Sequence, residues 1–469
     1  MSRVSPPGLA SLMTALLAAC IAFQLNASML SPVLVTMAAE LQASDAAVGM
    51  SQTAFFTAAA LFSLFLPRLG DMLGRRRVLL GMLLVMLAGS VLAALAPSVA
   101  VLQLARLIQG VSGPVVPVCL LMLYHEVRDP QRYGLLMGVI TAVNGGIAGI
   151  DAIAGGWLAT AFGFRAVFWC IALLAALACA LVAWLAPESR PSPQARMDWP
   201  GVGWLVLSLG CLLWALHLAA AGRAASWLAV AGMAAAGLLG LGLFLYTEQR
   251  SSHPLLALSL LRQRTIWPLL LTTVLTMTGV FAIINGLVMA HAQQPAGGFG
   301  LSAERAAWLL LTPYALVGWL VGPLAGQLAP RWGYGRVLRL GLAGSLLAIV
   351  LMLALGWSSL GWMIAATVLA GVAYAGTANI MLNGLGVVLS PAGSPGLLPG
   401  LNAGAFNLGA GLSFALLPAV QAVRGSPSDG MLLGLGIVVL AGLCSLLIPR
   451  PGQAESVAAA RGVSQDGFV

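Results

Sequence analysis

The sequence predicts an all-α membrane protein with fourteen spanning helices, arranged as a bundle of six, an extra pair and a second bundle of six. Composition is the first indication, because 60% of the 469 residues are hydrophobic and 7% are charged, whereas soluble domains carry about 25% charged residues. The second indication is a succession of long apolar runs, and the third is a short polar motif that occurs twice. A chain this apolar is expected to lie in a lipid bilayer.

Fourteen apolar runs approach the length that a spanning helix requires, about 20 residues. The predicted helices cover residues 9–37, 47–66, 78–96, 99–123, 134–160, 165–186, 200–220, 226–246, 266–290, 305–329, 337–356, 360–382, 398–421 and 430–448. An even number of crossings places both termini on the same side of the membrane.

The arginines indicate which side that is, because short cytoplasmic loops accumulate positive charge. With both termini in the cytoplasm, seventeen of the 22 basic residues, all arginines, fall on that side. Outside it are Arg165, Arg223, Arg305 and Arg424, with Arg106 inside a helix. We therefore predict an integral protein of the bacterial inner membrane with cytoplasmic termini. These loops and contact with anionic lipid explain the net charge of +9, so nucleic-acid binding is not indicated.

A weak internal repeat predicts the domain organisation. The motif at residues 67–77 recurs 259 residues later, at residues 326–336, and parallel six-helix repeats are a known transporter architecture. The predicted units are an N-terminal six-helix bundle over 1–190, two extra helices with linkers over 191–264, a C-terminal six-helix bundle over 265–450 and a disordered tail over 451–469.

Several kinds of chemistry are excluded by missing residue types. Without lysine, the chain cannot form a Walker-type phosphate loop or a Schiff base. The six cysteines lie within apolar runs, and neither they nor the four histidines occur at metal-binding spacing. We therefore expect no metal site, no cofactor and no enzymatic activity, and we expect transport to draw on a source other than ATP hydrolysis by this chain.

The first copy of the repeated motif joins two apolar runs and is strongly basic. It reads Pro-Arg-Leu-Gly-Asp-Met-Leu-Gly-Arg-Arg-Arg over residues 67–77 and resembles the loop between helices 2 and 3 of major facilitator superfamily transporters. The matching positions are Leu69, Gly70, Asp71, Gly74, Arg75 and Arg76. The resemblance implies that they brace a cytoplasmic gate, with Asp71 bonded to Arg75 or to a helix N-terminus. The alternative is a role as a topology signal only.

Two further stretches extend the resemblance. Residues 106–110, Arg-Leu-Ile-Gln-Gly, match the helix 4 pattern of the superfamily, and residues 155–158, Gly-Gly-Trp-Leu, match the end of its helix 5. With fourteen predicted helices, the chain is similar to the fourteen-helix drug:proton antiporters. Those antiporters usually carry Gly-Pro-x-x-Gly-Gly in helix 5, where residues 151–156 here read Asp-Ala-Ile-Ala-Gly-Gly.

Two charged residues are predicted inside the bilayer, where each costs about 2.5–3.5 kcal/mol on insertion scales. From the rise per residue of a helix, Arg106 lies about 10 Å and Asp151 about 13 Å below the outer face. We hypothesise that they form an ion pair or a proton-coupled switch that faces a central cavity. The family resemblance implies a proton-coupling role for Arg106, and a purely structural pair between two helices is the alternative.

Polar amides on several predicted helices are candidates for lining that cavity. They are Gln24, Asn26, Asn144, Asn285, Asn402 and Asn407. Asn144 and Asp151 are seven residues apart and therefore share a helical face. The alternative for each amide is a hydrogen bond between helices without substrate contact.

These observations predict a secondary active transporter that works by alternating access. The main prediction is proton-coupled efflux of amphipathic drug-like or metabolite molecules by a monomer whose partners are the substrate, protons and membrane lipid. The alternative is a proton-coupled importer or a uniporter of a small polar metabolite. A sensor or a membrane enzyme is a third class, which no catalytic constellation supports.

Overall fold

A computed structural model describes residues 8–127, 129–189, 197–219, 226–251, 263–390, 397–424 and 427–449. Within these ranges the regular structure is helical, with no strand. Thirteen helical stretches there are long and apolar enough to cross a membrane. The 33-residue helix Pro130–Phe162 lies between the fourth and the fifth of them. The predicted all-α class with a succession of apolar spanning helices is confirmed.

The helices are numbered in chain order. The first six are α1 Leu9–Glu40, α2 Asp45–Leu73, α3 Arg75–Ala94, α4 Val99–Glu126, α5 Pro130–Phe162 and α6 Phe164–Leu185. An extra pair follows, α7 Trp199–Ala219 and α8 Trp227–Arg250. The last six are α9 Trp267–Gln293, α10 Ala303–Trp332, α11 Tyr334–Gly356, α12 Leu360–Val388, α13 Leu397–Arg424 and α14 Pro427–Ser445. The predicted boundary at residue 190 and the predicted tail over 451–469 lie outside the described residues.

Several of these helices change their winding midway. α1 contains a 3-10 turn at Ser31–Val33, and α4 contains one at Gly110–Ser112. Helices of the C-terminal half contain π-helical segments instead, among them Ile283–Val288 in α9 and Gly371–Ala378 in α12. Such segments frequently mark functional sites. In α1, α4 and α9 they carry or follow the buried polar residues that form the candidate site.

The turn between α2 and α3 is far shorter than the sequence predicts. A loop is expected over residues 67–77, but α2 continues through Asp71 to Leu73. Helix α3 then starts at Arg75, and the reversal is concentrated in Gly74, whose φ is 104°. Only glycine adopts this backbone region readily, because it has no Cβ. The polar residues therefore lie on helical turns, since charged side chains can extend to the aqueous interface without a loop.

The second copy of the motif folds in the same way. The last turn of α10 reaches Trp332, and Gly333 follows with a φ of 89°. In each copy the glycine N–H donates to the carbonyl four residues earlier, from Gly74 to Gly70 and from Gly333 to Ala329, both at 2.9 Å. The weak sequence repeat thus corresponds to a repeated helix–glycine–helix corner.

The two six-helix halves meet along α2 and α13. Gly411 of α13 lies so close to α2 that a Cβ there would be 2.9 Å from Thr57 Oγ1. Nearby, Phe56 of α2 packs against Phe281 of α9 and Phe414 of α13, with ring centroids 5.3 and 6.3 Å apart. Phe281 and Phe414 also pack edge to face at 5.9 Å, a favourable aromatic geometry. This aromatic trio joins both halves.

The halves also touch at the face where α1 ends and α2 begins, which the arginine distribution predicts to be the outer face. Ser31 of α1 donates through its hydroxyl to Asn285 Oδ1 of α9 at 3.1 Å. Gly156 of α5 approaches α10 so closely that a Cβ there would lie 2.8 Å from the carbonyl oxygen of Ala303. In this structure the N-terminal and C-terminal halves are therefore in contact on that side.

Candidate functional site

Arg106 of α4 is completely buried, and amide oxygens rather than a carboxylate hold its guanidinium. Its Nη1 donates to Asn26 Oδ1 at 2.9 Å and to the backbone oxygen of Asn26 at 3.2 Å. The same nitrogen donates to Gln109 Oε1 at 2.7 Å, and Nη2 donates to Gln52 Oε1 at 2.7 Å. The guanidinium carbon lies 4.1 Å from the ring centroid of Phe55. These contacts tie α4 to α1 and α2 through one cation.

The amide network continues into α3. Gln109 donates through Nε2 to Ser90 Oγ at 2.8 Å, and the Ser90 hydroxyl donates to the carbonyl of Met86, also at 2.8 Å. Because hydrogen bonds to a charged donor are about twice as strong as neutral ones, the network offsets part of the cost of burying the cation. The network around Arg106 thus connects four helices, with α3 joined through Gln109.

Sequence reasoning missed part of this network. Gln52 and Ser90 were not predicted as site residues, and Gln109 was noted only within the helix 4 pattern. The available signal was a polar side chain within a long apolar run, which in a bilayer needs a partner. That signal does not say which partner, because the contacts are between residues far apart in the chain.

Asp151 of α5 is 2% exposed and is held by a hydroxyl of α1. The Ser28 hydroxyl contacts Asp151 Oδ2, and Oδ1 has no hydrogen-bond partner in the described part of the chain. Gln24 Nε2 donates to Ser28 Oγ at 3.0 Å, and Ser28 Oγ lies 2.9 Å from the Gln24 carbonyl. Since a hydroxyl has one proton, Ser28 can donate to Gln24 or to Asp151, but not to both.

The structure does not bring Arg106 and Asp151 into contact. Ion pairs in the described ranges include Arg75–Asp71, Arg77–Glu188 and Arg165–Glu40, and hydrogen bonds hold Arg106 and Asp151 to other partners. The hypothesised Arg106–Asp151 ion pair is therefore not formed. Helix α1 contacts both residues instead, because it presents Asn26 to Arg106 and Ser28 to Asp151.

The predicted cavity amides fall into two groups. Asn26 and Asn402 are buried at 0% and 1% exposure, and Asn402 Oδ1 accepts a hydrogen bond from Thr273 at 2.7 Å. Both amides therefore join helices within one half of the protein. Gln24, Asn285 and Asn407 are half-buried, and their side chains are the better placed for contact with a solute. The side chain of Asn144 lies outside the described residues.

The predicted gate residues form a bonded cluster at the α2–α3 corner. Arg75 donates through Nε to Asp71 Oδ1 at 2.9 Å, and its Nη2 lies 2.8 Å from the same oxygen. Arg75 Nη1 also donates to the carbonyl of Leu121 in α4 at 3.0 Å. Arg76 donates to the carbonyl of Ala183 in α6. The corner is thereby tied to two other helices of its own half.

A short stretch after α6 caps the start of α3. Ser189 Oγ accepts from the backbone N–H of Arg75 at 2.8 Å, and Glu188 Oε1 accepts from that of Arg76 at 3.2 Å. An acid at a helix N-terminus is favoured by the partial positive charge there. Gly74 leaves room for this cap, since a Cβ would lie 2.5 Å from Glu188 Oε1. The acid at the N-terminus of α3 is thus Glu188, while Asp71 pairs with Arg75.

Three comparisons relate this arrangement to known proteins. A family model of the Major Facilitator Superfamily matches residues 16–414. The crystal structure of the human organic anion transporter MFSD10 (TETRAN) superposes with a TM-score of 0.62, covering 94% of this chain and 100% of that one at 17% identity. This structural likeness concerns the fold alone.

Relatives with closer sequences differ in their named functions. The uridine/deoxyuridine transporter of Lactococcus lactis subsp. cremoris (strain MG1363) is 48% identical over 452 residues, 94% of each chain. The tetracenomycin C resistance and export protein of Streptomyces glaucescens is 28% identical over 82% of this chain and 71% of its own length. The multidrug resistance protein Stp of Mycobacterium tuberculosis (strain CDC 1551 / Oshkosh) is 28% identical over 77% of this chain and 66% of its own.

The relatives contradict the prediction of drug export. The resistance proteins share 28% identity with this chain, whereas the uridine/deoxyuridine transporter shares 48% across nearly all of both chains. The main prediction, proton-coupled multidrug efflux by an antiporter, is therefore wrong. The predicted alternative, transport of a small polar metabolite, agrees better with these relatives.

The network around Arg106 predicts that lysine cannot replace this arginine. Lysine has a single ammonium group, which cannot reach acceptors on α1, α2 and α4 at once, so Arg106→Lys loses one or two charged hydrogen bonds of about 1.5–3 kcal/mol each. We expect the purified variant to unfold at a clearly lower temperature than the wild type, measured by tryptophan fluorescence in detergent.

Arg165→Lys is the matched control, because Arg165 pairs with Glu40 at partly exposed positions, 43% and 32% exposed. Such a pair contributes about 0–1 kcal/mol, so this variant should unfold close to the wild-type temperature. Equal shifts in the two variants would show that the amide network does not stabilise the bundle.

Proposed function

Because the chain belongs to the major facilitator superfamily, whose model matches residues 16–414, we propose that it is a secondary transporter that takes up nucleosides. The observation that carries this proposal is the 48% identity with a uridine/deoxyuridine transporter over 94% of each chain. The arginine distribution supports its placement in a bacterial inner membrane with both termini in the cytoplasm.

The half-buried polar side chains near the contact between the halves suit a nucleoside. Uridine presents sugar hydroxyls and an imide edge with one N–H donor and two carbonyl acceptors. Amides and hydroxyls supply both donors and acceptors, and Gln24, Ser28 and Asn285 provide them on α1 and α9. Asn285 already bonds across the halves to Ser31 at 3.1 Å. A substrate that bonds to Asn285 in place of Ser31 would break this link and favour a different arrangement of the two halves.

Asp151 is proposed to carry the coupling proton. When the carboxyl group is ionised, it accepts a hydrogen bond from the Ser28 hydroxyl. When it is protonated, it can donate to Ser28 Oγ, and the Ser28 hydroxyl is then free to bond the carbonyl of Gln24, 2.9 Å away. Protonation also removes a charge from the low-dielectric interior. Proton binding thereby changes both the local charge and the hydrogen bonding of α1, beside a candidate substrate amide.

Arg106 is proposed to support this exchange without contacting Asp151. Its hydrogen bonds to Asn26 hold α1 two residues away from Ser28. A cation held by neutral amides keeps its full charge, and it lies beside the segment of α1 whose Ser28 contacts the Asp151 carboxyl. The coupling role predicted for both residues is retained in this indirect form.

The corner at Gly70, Asp71, Gly74, Arg75 and Arg76 is proposed to act as the cytoplasmic gate. Its bonds to Leu121 in α4 and Ala183 in α6 fix the corner within the N-terminal half. Rigid corners allow each half to rock as a unit, which alternating access requires.

The substrate is tested by uptake of radiolabelled uridine into a bacterial host that lacks its own nucleoside transport. Cells that express the protein should accumulate uridine well above vector controls, and excess unlabelled deoxyuridine should suppress this uptake. Correctly inserted protein that moves no nucleoside, in cells or in proteoliposomes, would refute the proposal.

Asp151→Asn tests the proton step. The asparagine keeps the shape and can accept from Ser28, but it cannot bind and release a proton. In proteoliposomes with an imposed inward proton gradient, the variant should lose uridine accumulation and retain uridine exchange between the two sides. Asp45→Asn is the control, since Asp45 is an exposed acid at the start of α2, and it should accumulate uridine as the wild type does. Full accumulation by Asp151→Asn would contradict the coupling role.

Asp71→Asn tests the gate. The substitution removes the ion pair with Arg75 while leaving the positive charge of the corner in place. We expect normal membrane insertion and a severalfold slower rate of both uptake and exchange, because the corner no longer holds its position. If the residue served only as a topology signal, both rates would be unchanged.

A further inference from the structure

The two copies of the helix–glycine–helix corner differ in how their arginines are bonded. In the N-terminal copy, Arg75 pairs with Asp71, Arg76 donates to a backbone carbonyl and Arg77 lies 3.6 Å from Glu188. Each arginine side chain of α3's first turn therefore has a protein partner. The positively charged side chains of this corner are therefore bonded to other groups of the N-terminal half.

In the C-terminal copy both acids are missing. With the register of the repeat, Pro330 stands where the first copy has Asp71, and Leu447 stands where it has Glu188. The positive charges persist, because Arg336 corresponds to Arg77 and Arg339 is an additional cation one turn further along α11. The second corner thus keeps positive charge but has no acid at either of the two corresponding positions.

The arginines of this second corner make no ion pair or hydrogen bond through their side chains within the described ranges. Arg331 and Arg336 are exposed, and Arg339 is half-buried. Arg336 and Arg339 line one cavity, so their like charges repel one another there, and an anion between them would relieve that repulsion. The arrangement therefore favours an anionic ligand.

An open cavity lies at this place. It has a volume of about 580 Å³ and is lined by Trp332, Arg336, Arg339 and Leu340. Trp332 is 51% exposed and Leu340 is 57% exposed. They belong to adjoining ends of α10 and α11, which face the membrane–water boundary if these helices span the bilayer. Tryptophan is enriched at that boundary.

We propose that this basic corner binds the phosphate of an anionic glycerophospholipid. Arg336 and Arg339 would bind the phosphate oxygens, for which the guanidinium fork is suited, and Trp332 and Leu340 would contact the glycerol and upper acyl segments. The exposed apolar residues beside the cations distinguish a lipid from a free phosphate ion, which has no apolar part. The site lies on the lipid-facing outside of the C-terminal half and is independent of the transported substrate.

The test measures binding of dioleoylphosphatidylglycerol to the full-length protein in a neutral detergent by native mass spectrometry. Dioleoylphosphatidylcholine and glycerol 3-phosphate serve as the comparison ligands. The wild type should bind phosphatidylglycerol more tightly than either. Each arginine near anionic lipid contributes about fivefold in affinity, so the double variant Arg336→Gln/Arg339→Gln should lose about 25-fold.

Arg305→Gln is the matched control, because Arg305 is an exposed arginine at the opposite end of α10 and should leave the affinity unchanged. Wild-type affinity in the double variant would show that the arginines act only in topology and would overturn the site. Equal binding of phosphatidylcholine would overturn the role of charge, and equal binding of glycerol 3-phosphate would overturn the assignment to lipid. If the double variant does not fold, the single variants decide, each with an expected loss of about fivefold.

Discussion

The buried guanidinium of Arg106 is the constraint on which the N-terminal half depends. A charge in the apolar interior of a bundle must be surrounded by acceptors, or the helices that enclose it cannot pack. Here the acceptors are amide oxygens of α1, α2 and α4, at 2.7 to 3.2 Å. Because the acceptors lie on three different helices, the cation fixes the rotation and the depth of all three at once.

The choice of neutral amides over a carboxylate has a chemical consequence. An ion pair would cancel the charge of Arg106, whereas the amides leave it positive. Asp151 is left with a serine hydroxyl of α1 as its partner. Helix α1 therefore connects a fixed positive charge with the acid that is proposed to carry the coupling proton.

The internal repeat shows that one backbone corner can serve different chemistry in each half. Both copies use a glycine with positive φ, a backbone conformation that residues with a Cβ adopt only with strain. In the N-terminal corner the arginines bond to α2, α4, α6 and the stretch after α6. The C-terminal corner lacks the corresponding acids, and its Arg336 and Arg339 line an open cavity beside Trp332 and Leu340.

The sequence by itself determined the membrane class, the number of apolar helices and the residues of the first corner, because these follow from local hydropathy and from charge in short segments. It also found Arg106 and Asp151, since a charge within an apolar run is conspicuous. It could not say that the two charges take different partners on α1, since the directions in which Asn26 and Ser28 face are set only when the helices pack.

The motifs could not decide the substrate either, because the patterns at residues 67–77 and 106–110 belong to machinery that transporters of different direction share. The departure at residues 151–156 was the one local sign against drug antiport. Only the tertiary structure decided which polar groups meet, because a hydrogen bond between helices depends on their rotation and depth, and neither is encoded in any single stretch.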